Sequence, residues 1–256
     1  MNGDIVATAP VINMSLGFIV MVFMASFVGA VAQVTSGFGY AITLMSILPL
    51  FVPDFLVAVA ATGVITTIQS TISAWQYRKN IQWKLLPPLI GCFLLVSFFA
   101  IYFAATHPVD MLRRPMGAFL IILAVYFMFF AGKIKIKGGT VAGCVSGSIS
   151  GLTGGLFAVG GPPAVVYLLS ATSSNVAYMG TLQTFFFITG IYANIVRFAN
   201  GLFTYPVLLI TAPAILGLVI GARLGTILFD KLNPTRLRQL VYAIMMASGL
   251  SILITG

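Results

Sequence analysis

The residues best placed to do chemistry in this chain are glycines, prolines and side-chain amides. The stretch Gly154–Pro163 reads GGLFAVGGPP, with four glycines and two prolines in ten residues. It lies in a run from Gly138 through Val196 without a single Lys, Arg, Asp or Glu. Glycine and proline are poor interior helix residues. At membrane depth a broken backbone is tolerated only where protein buries it or it lines a polar cavity. A break also frees N–H groups at the start of the next half-helix, and these carry partial positive charge that favours anions. Gly160, Gly161 and Pro162 therefore read as the start of a half-helix, because Pro at the first turn loses no intrahelical bond. An earlier stretch, TSGFG (Thr35–Gly39), is a second such break. Two breaks meeting near the bilayer centre would hold a small anion without any buried Arg or Lys.

Polar residues within the apolar runs complete the candidate site. Gln33, Gln69, Gln183 and Asn194 carry amides that can donate to an anion, and Thr35, Ser36 and Thr153 sit beside the breaks. The substrate-binding set read from sequence is thus Gln33, Thr35, Ser36, Gly37, Gly39, Gln69, Thr153, Gly154, Gly155, Gly160, Gly161, Pro162, Gln183 and Asn194. For each amide, a helix–helix hydrogen bond is the competing role. Gly143, Gly147, Gly151 and Gly155 recur at every fourth residue, which marks a close helix-packing ladder.

Composition sets the frame for these residues. Of 256 residues, 60% are hydrophobic and 7% charged, against about 25% charged in soluble domains. The chain reads as an all-α, polytopic membrane helix bundle. Its net charge of +9 comes mostly from short loops, where Lys and Arg set membrane orientation; it does not call for nucleic acid. The four acids, Asp4, Asp54, Asp110 and Asp230, lie at the edges of apolar runs. With no acid in a span core, a carboxylate relay is disfavoured, leaving facilitated anion movement or coupling through backbone carbonyls. There are no paired carboxylates, no metal-spaced His/Cys/Asp cluster and a single histidine, His107, so neither an enzyme nor a metal or other cofactor is expected. Cys92 and Cys144 fall in separate spans and are expected to be free, buried thiols. No cleavable signal peptide is expected, since the first apolar run lacks a basic flank.

Ten apolar segments are expected: Val11–Val34, Phe38–Val52, Phe55–Tyr77, Leu86–Ala105, Pro115–Ala131, Thr140–Leu152, Pro162–Ala171, Val176–Val196, Tyr205–Leu228 and Leu240–Thr255. The second, sixth and seventh are short of the roughly 20 residues a spanning helix needs. With the N-terminus outside, the inner loops hold nine cations. The outer loops hold Arg113, Arg114 and Arg197. Arg223 falls near the inner end of the ninth segment, where snorkelling to the interface competes with anion contact.

The chain also carries an internal repeat. SFVGAVAQVTSGFG (Ser26–Gly39) matches GCVSGSISGLTGGLF (Gly143–Phe157) with Gly29 on Gly147, and the turn at Pro108 matches that at Pro234. The halves are residues 1–132 and 140–256, joined by a basic linker at 133–139. Five segments per half is an odd number, so the second half must enter the membrane with opposite topology. Inverted repeats of this kind are an architecture of secondary transporters.

Over nearly its whole length the chain resembles the TauE/SafE sulfite exporter family, also called the toluene sulfonate uptake permease family. The resemblance rests on GAVAQVTSGFG, GLTGGLFAVGGPP, the basic loop before NIQW, and the tail GLVIGARLGTILFDKLNPTRLRQLVYAIM. It implies a multi-pass transporter in a bacterial inner membrane. The implied cargo is a small sulfur-containing anion: sulfite, sulfoacetate or another organosulfonate. Alternating access is the expected mechanism, and an anion channel of the same architecture is the alternative. Besides substrate and lipid bilayer, a homodimer is compatible with the many apolar faces.

Overall fold

A computed structural model describes residues 15–130, 139–228 and 234–255. Ten α-helices account for most of these residues, and among them there is no strand. In chain order they are α1 (Leu16–Ser36), α2 (Gly39–Ile47), α3 (Phe55–Gln76), α4 (Leu86–Thr106), α5 (Asp110–Phe129), α6 (Thr140–Phe157), α7 (Gly161–Ala171), α8 (Asn175–Ala199), α9 (Tyr205–Leu228) and α10 (Pro234–Thr255). Seven helices are long and apolar enough to cross a membrane. Their outer faces present bare hydrocarbon, with Leu95, Phe99, Ile195 and Leu216 all exposed, as a lipid solvent requires.

Local signals in the sequence account for the helix ends. Ser15 caps α1 by accepting from Phe18 N at 3.2 Å. Asp54 caps α3, its Oδ1 accepting from Leu56 N at 2.8 Å and Val57 N at 3.3 Å. Ser174 does the same for α8. Such caps are worth about 1 kcal/mol each. Asp54 and Asp110 thus stand at helix starts, where the backbone dipole favours a carboxylate. Hydroxyls inside the helices bond back one turn, as Thr43 to Gly39 O (2.9 Å) and Thr189 to Phe185 O (2.7 Å) do. Such bonds pair polar hydrogens that would otherwise face hydrocarbon; Ser150 of α6 is an exception, its buried Oγ having no partner among the described residues.

The main pairings are α4 with α6, α1 with α9, α5 with α10 and α3 with α8. Each joins a helix of the first half to one of the second. Glycine makes the closest of these possible. A Cβ at Gly147 would overlap the Leu89 carbonyl, one at Gly151 would lie 2.8 Å from Phe93 O, and one at Gly155 would lie 3.0 Å from Ser97 O. The glycine ladder is therefore the seam of α6 on α4, and both helices run the same way along it. The equivalent seam of α1 on α9 takes its glycines from α9: Gly221 would place a Cβ 2.6 Å from Phe27 O. Gly29, aligned with Gly147 in the repeat, instead faces the Tyr40 ring, at 3.0 Å. On α5 and α10, Gly117 and Gly249 face each other at one crossing.

Three expectations need correction. The sixth segment is not short: α6 runs 18 residues, through Gly154 and Gly155, and breaks only after Phe157. Its glycines are tolerated because backbone contact with α4 replaces the missing side chains. Cys92 and Cys144 are free but only half-buried, and their side chains meet across the α4/α6 seam. Arg197 is no loop residue; it lies inside α8 and is buried.

Candidate functional site

Each break folds the following short helix back along the preceding long one. In the first, α1 ends at Ser36 and Gly37 turns the chain with φ 81°, a left-handed conformation that favours glycine. α2 then returns beside α1. The Tyr40 hydroxyl reaches Ser26 Oγ at 2.6 Å, and the ring of Phe51, just beyond α2, meets Phe18 near the start of α1 with centroids 5.5 Å apart. In the second, Ala158 takes the left-handed turn (φ 56°) after α6. Gly160 then lies so close to α6 that a Cβ there would be 2.7 Å from Ser150 O and 3.3 Å from the Gly154 Cα. Farther along α7, Tyr167 approaches Gly143.

These two hairpins meet. A Cβ added at Gly161 would sit 3.9 Å from the Phe38 Cβ and 3.3 Å from Phe186. Gly37 touches α8 at Tyr178 and Met179. The Phe38 ring packs at a tilt against Phe127 of α5, centroids 5.0 Å apart. The predicted residues Gly37, Gly39, Gly161 and Pro162 thus lie where the start of α2, the start of α7 and α8 come together, while Gly154 and Gly160 pack on each other and Gly155 packs on α4.

The first break is held by neutral amides. Gln33 Nε2 donates to Gly37 O at 2.8 Å, and Gln183 Nε2 donates to the same oxygen at 2.7 Å. Gln33 Oε1 accepts from Tyr40 N at 3.1 Å, capping the start of α2. These amides, read from sequence as anion donors, are engaged by the backbone they stabilise. Gln183 Oε1, fully buried, has no partner among the described residues.

The second break is held by a charge. Arg197 Nη2 donates to Gly154 O at 2.6 Å and to Gly155 O at 3.3 Å. These carbonyls sit at the C-terminal end of α6, the negative end of its dipole. Arg197 Nη1 approaches Asn194 Oδ1 at 3.5 Å. Asn194 Nδ2 in turn bonds Gly63 O (3.2 Å) and Thr67 Oγ1 (2.9 Å) on α3, the helix–helix role that competed with ligand contact. At the start of α7, Pro162 and Pro163 remove two of the N–H donors a helix normally offers there.

Other predicted residues fall elsewhere. Gln69 bonds Ser73 Oγ within α3 at 2.9 Å. Thr153 bonds back to Ile149 O at 3.1 Å. The side chains of Thr35 and Ser36 lie outside the described residues. Arg223 is exposed on α9, consistent with snorkelling. Among the described residues no group of His, Cys, Asp or Glu is placed to hold a metal ion.

Sequence reading missed Arg197 and expected a site without buried Arg or Lys. Arg197 is 2% exposed. The signal was present: IVRFA keeps apolar residues on both sides of the charge, so the helix continues past it. Counting the charge as a loop cation hid this.

No curated protein and no solved structure is significantly similar to the chain. A family model, sulfite exporter TauE/SafE, matches residues 21–252. Two hairpin breaks packed together within a bundle of membrane-length helices thus stand in a matched segment covering almost the entire sequence, and the chain belongs to the sulfite exporter TauE/SafE family.

Proposed function

We propose that this protein is a secondary carrier of small sulfur-containing anions, with sulfite, sulfoacetate and other organosulfonates as the substrate class. The family is one of anion exporters in membranes, and the helices suit a multi-pass protein. The residence we assign is a bacterial inner membrane. The observation that carries the reading is the contact of the two breaks: Phe38 of the first beside Gly161 of the second. Backbone broken in two facing hairpins is how transporters build a site at mid-membrane.

The helix pairings support an inverted repeat. Exchanging α1–α5 with α6–α10 turns the pair α1/α9 into α6/α4 and α1/α2 into α6/α7, while α3/α8 and α5/α10 map onto themselves. Such symmetry offers two equivalent arrangements of one half against the other, the requirement of alternating access. Moving Arg197 from the outer-loop count leaves nine inner cations against Arg113 and Arg114, which strengthens an outside N-terminus.

The test is flux into liposomes holding the purified protein. Sulfite, sulfoacetate, taurine, sulfate and acetate are offered separately, with and without a pH gradient. Saturable uptake of sulfite or sulfonates is expected. Movement of none of them by folded protein would overturn the substrate class, and non-saturating single-channel currents would replace the carrier with a pore.

A further inference from the structure

We propose that Arg197 is the charge partner of the transported anion and that, through its grip on Gly154 and Gly155, it ties anion binding to the position of the α6/α7 hairpin. This rests on the anion-carrier reading above and adds to it the residue that supplies the charge.

The argument begins with a cost. A guanidinium taken out of water loses hydration worth several kcal/mol unless other groups replace it. A buried arginine normally finds a carboxylate. Arg197 has none: Asp54 and Asp110, the acids among the described residues, stand at the starts of α3 and α5. Its partners are the Gly154 and Gly155 carbonyls and, at 3.5 Å, the Asn194 amide oxygen. Backbone dipoles at a helix end supply only about half an elementary charge. The Nε–H is buried with no partner among the described residues. A cation incompletely compensated, with a donor to spare, is poised for an anion.

The surroundings are shaped around this group. Gly63 of α3 faces it, and a Cβ there would lie 2.8 Å from both Nη1 and Asn194 Oδ1. Asn194, held by Gly63 O and Thr67, keeps its oxygen toward the guanidinium. The planar fork of arginine matches the oxygens of a sulfite or sulfonate better than a lysine ammonium would. The bonds to Gly154 and Gly155 reach the last turn of α6, next to the tight contact of Gly154 with Gly160. An oxyanion drawing on the guanidinium competes with these carbonyls, so occupancy loosens or shifts the end of α6. That is a differential contact of the kind a conformational change requires.

A purely structural role would make Arg197 only a clamp on the α6 carbonyls. The two roles separate in a paired measurement on the full-length protein: melting temperature in detergent with and without each anion of the panel, and liposome flux. We expect Arg197→Gln to lose the anion-induced rise in melting temperature and to cut saturable flux at least 100-fold. Arg197→Lys should keep the charge and retain binding weakened about 10-fold or more, and Gly63→Ala, which crowds Nη1, should weaken anion binding several-fold. If Arg197→Gln does not fold, the Lys and Gly63 variants carry the test. The proposal is overturned if these variants lower the melting temperature yet leave anion stabilisation and the flux half-saturation unchanged. Should the wild type move sulfur anions while Arg197→Gln moves them equally well, Arg197 is excluded and the carrier reading stands. Should the wild type move only a non-sulfur anion, in an Arg197-dependent way, the substrate class fails and Arg197 stands. Neither stabilisation nor movement by any anion of the panel would overturn both.

Discussion

The two breaks solve one problem with different chemistry. At both, a long helix stops inside the protein and leaves carbonyl groups that water cannot reach. At the first, Gly37 O takes two neutral amide donors, from Gln33 on its own helix and Gln183 on α8. At the second, Gly154 O and Gly155 O take a guanidinium from Arg197, also on α8. One helix therefore braces both hairpins, by an amide toward its beginning and a cation toward its end. The first break is electrically neutral, and Gln33 also caps the returning α2. The second carries charge, and its returning α7 starts on two prolines with fewer N–H donors. The two glycine-rich breaks thus carry a neutral brace and a charged one. If they share one anion, the charged break binds it and the neutral break shapes the space.

Substitutions can break or sharpen this contrast. The largest effect on folding is expected from Gly160→Leu. A Cβ there already meets the Ser150 carbonyl at 2.7 Å and the Gly154 backbone at 3.3 Å. Neither is a side chain that can move, so overpacking should exceed about 3 kcal/mol. Yield and monodispersity on size exclusion will show it; a folded, stable Gly160→Leu protein would mean the second hairpin is looser than described.

Gln33→Leu comes next. It removes a donor to Gly37 O and the acceptor for Tyr40 N together, and should cost about 2 kcal/mol, seen as a clear fall in melting temperature. Gln183→Met should cost less, about 1 kcal/mol, because Gln33 still serves Gly37 O and the substitution also removes a buried oxygen without a partner. A Gln183→Met protein less stable than Gln33→Leu would reverse the ranking and point to a further bond at Gln183 Oε1. The smallest stability effect belongs to Gly161→Ala, whose Cβ would meet only Phe186 and Phe38 side chains at 3.3 and 3.9 Å. Stability should change by less than about 1 kcal/mol. Gly161→Leu, pushed between the breaks, should abolish flux while the protein still folds. Unchanged flux in Gly161→Leu would separate the contact of the breaks from transport.

Much of this molecule was legible in its sequence. Membrane residence followed from hydrophobicity, because a bilayer demands apolar length and local backbone satisfaction. The helix count, the two breaks and the packing ladder at Gly147, Gly151 and Gly155 followed from apolar runs, glycine and proline, and the family from the resemblance of the glycine-rich segments, the basic loop and the tail. Those signals are local, and membrane helices form their hydrogen bonds locally. Tertiary structure alone decided the partners. Gln183 joins Gln33 on Gly37 O across 146 residues of chain, Cys92 meets Cys144 across a seam, and the α1/α9 seam draws its glycines from α9. Arg197 shows the reason most plainly. A cation near a helix end looks the same in sequence whether it faces water or the carbonyls of a broken helix 42 residues away. Only packing decides its dielectric surroundings, and so whether it orients the protein in the membrane or waits for an anion.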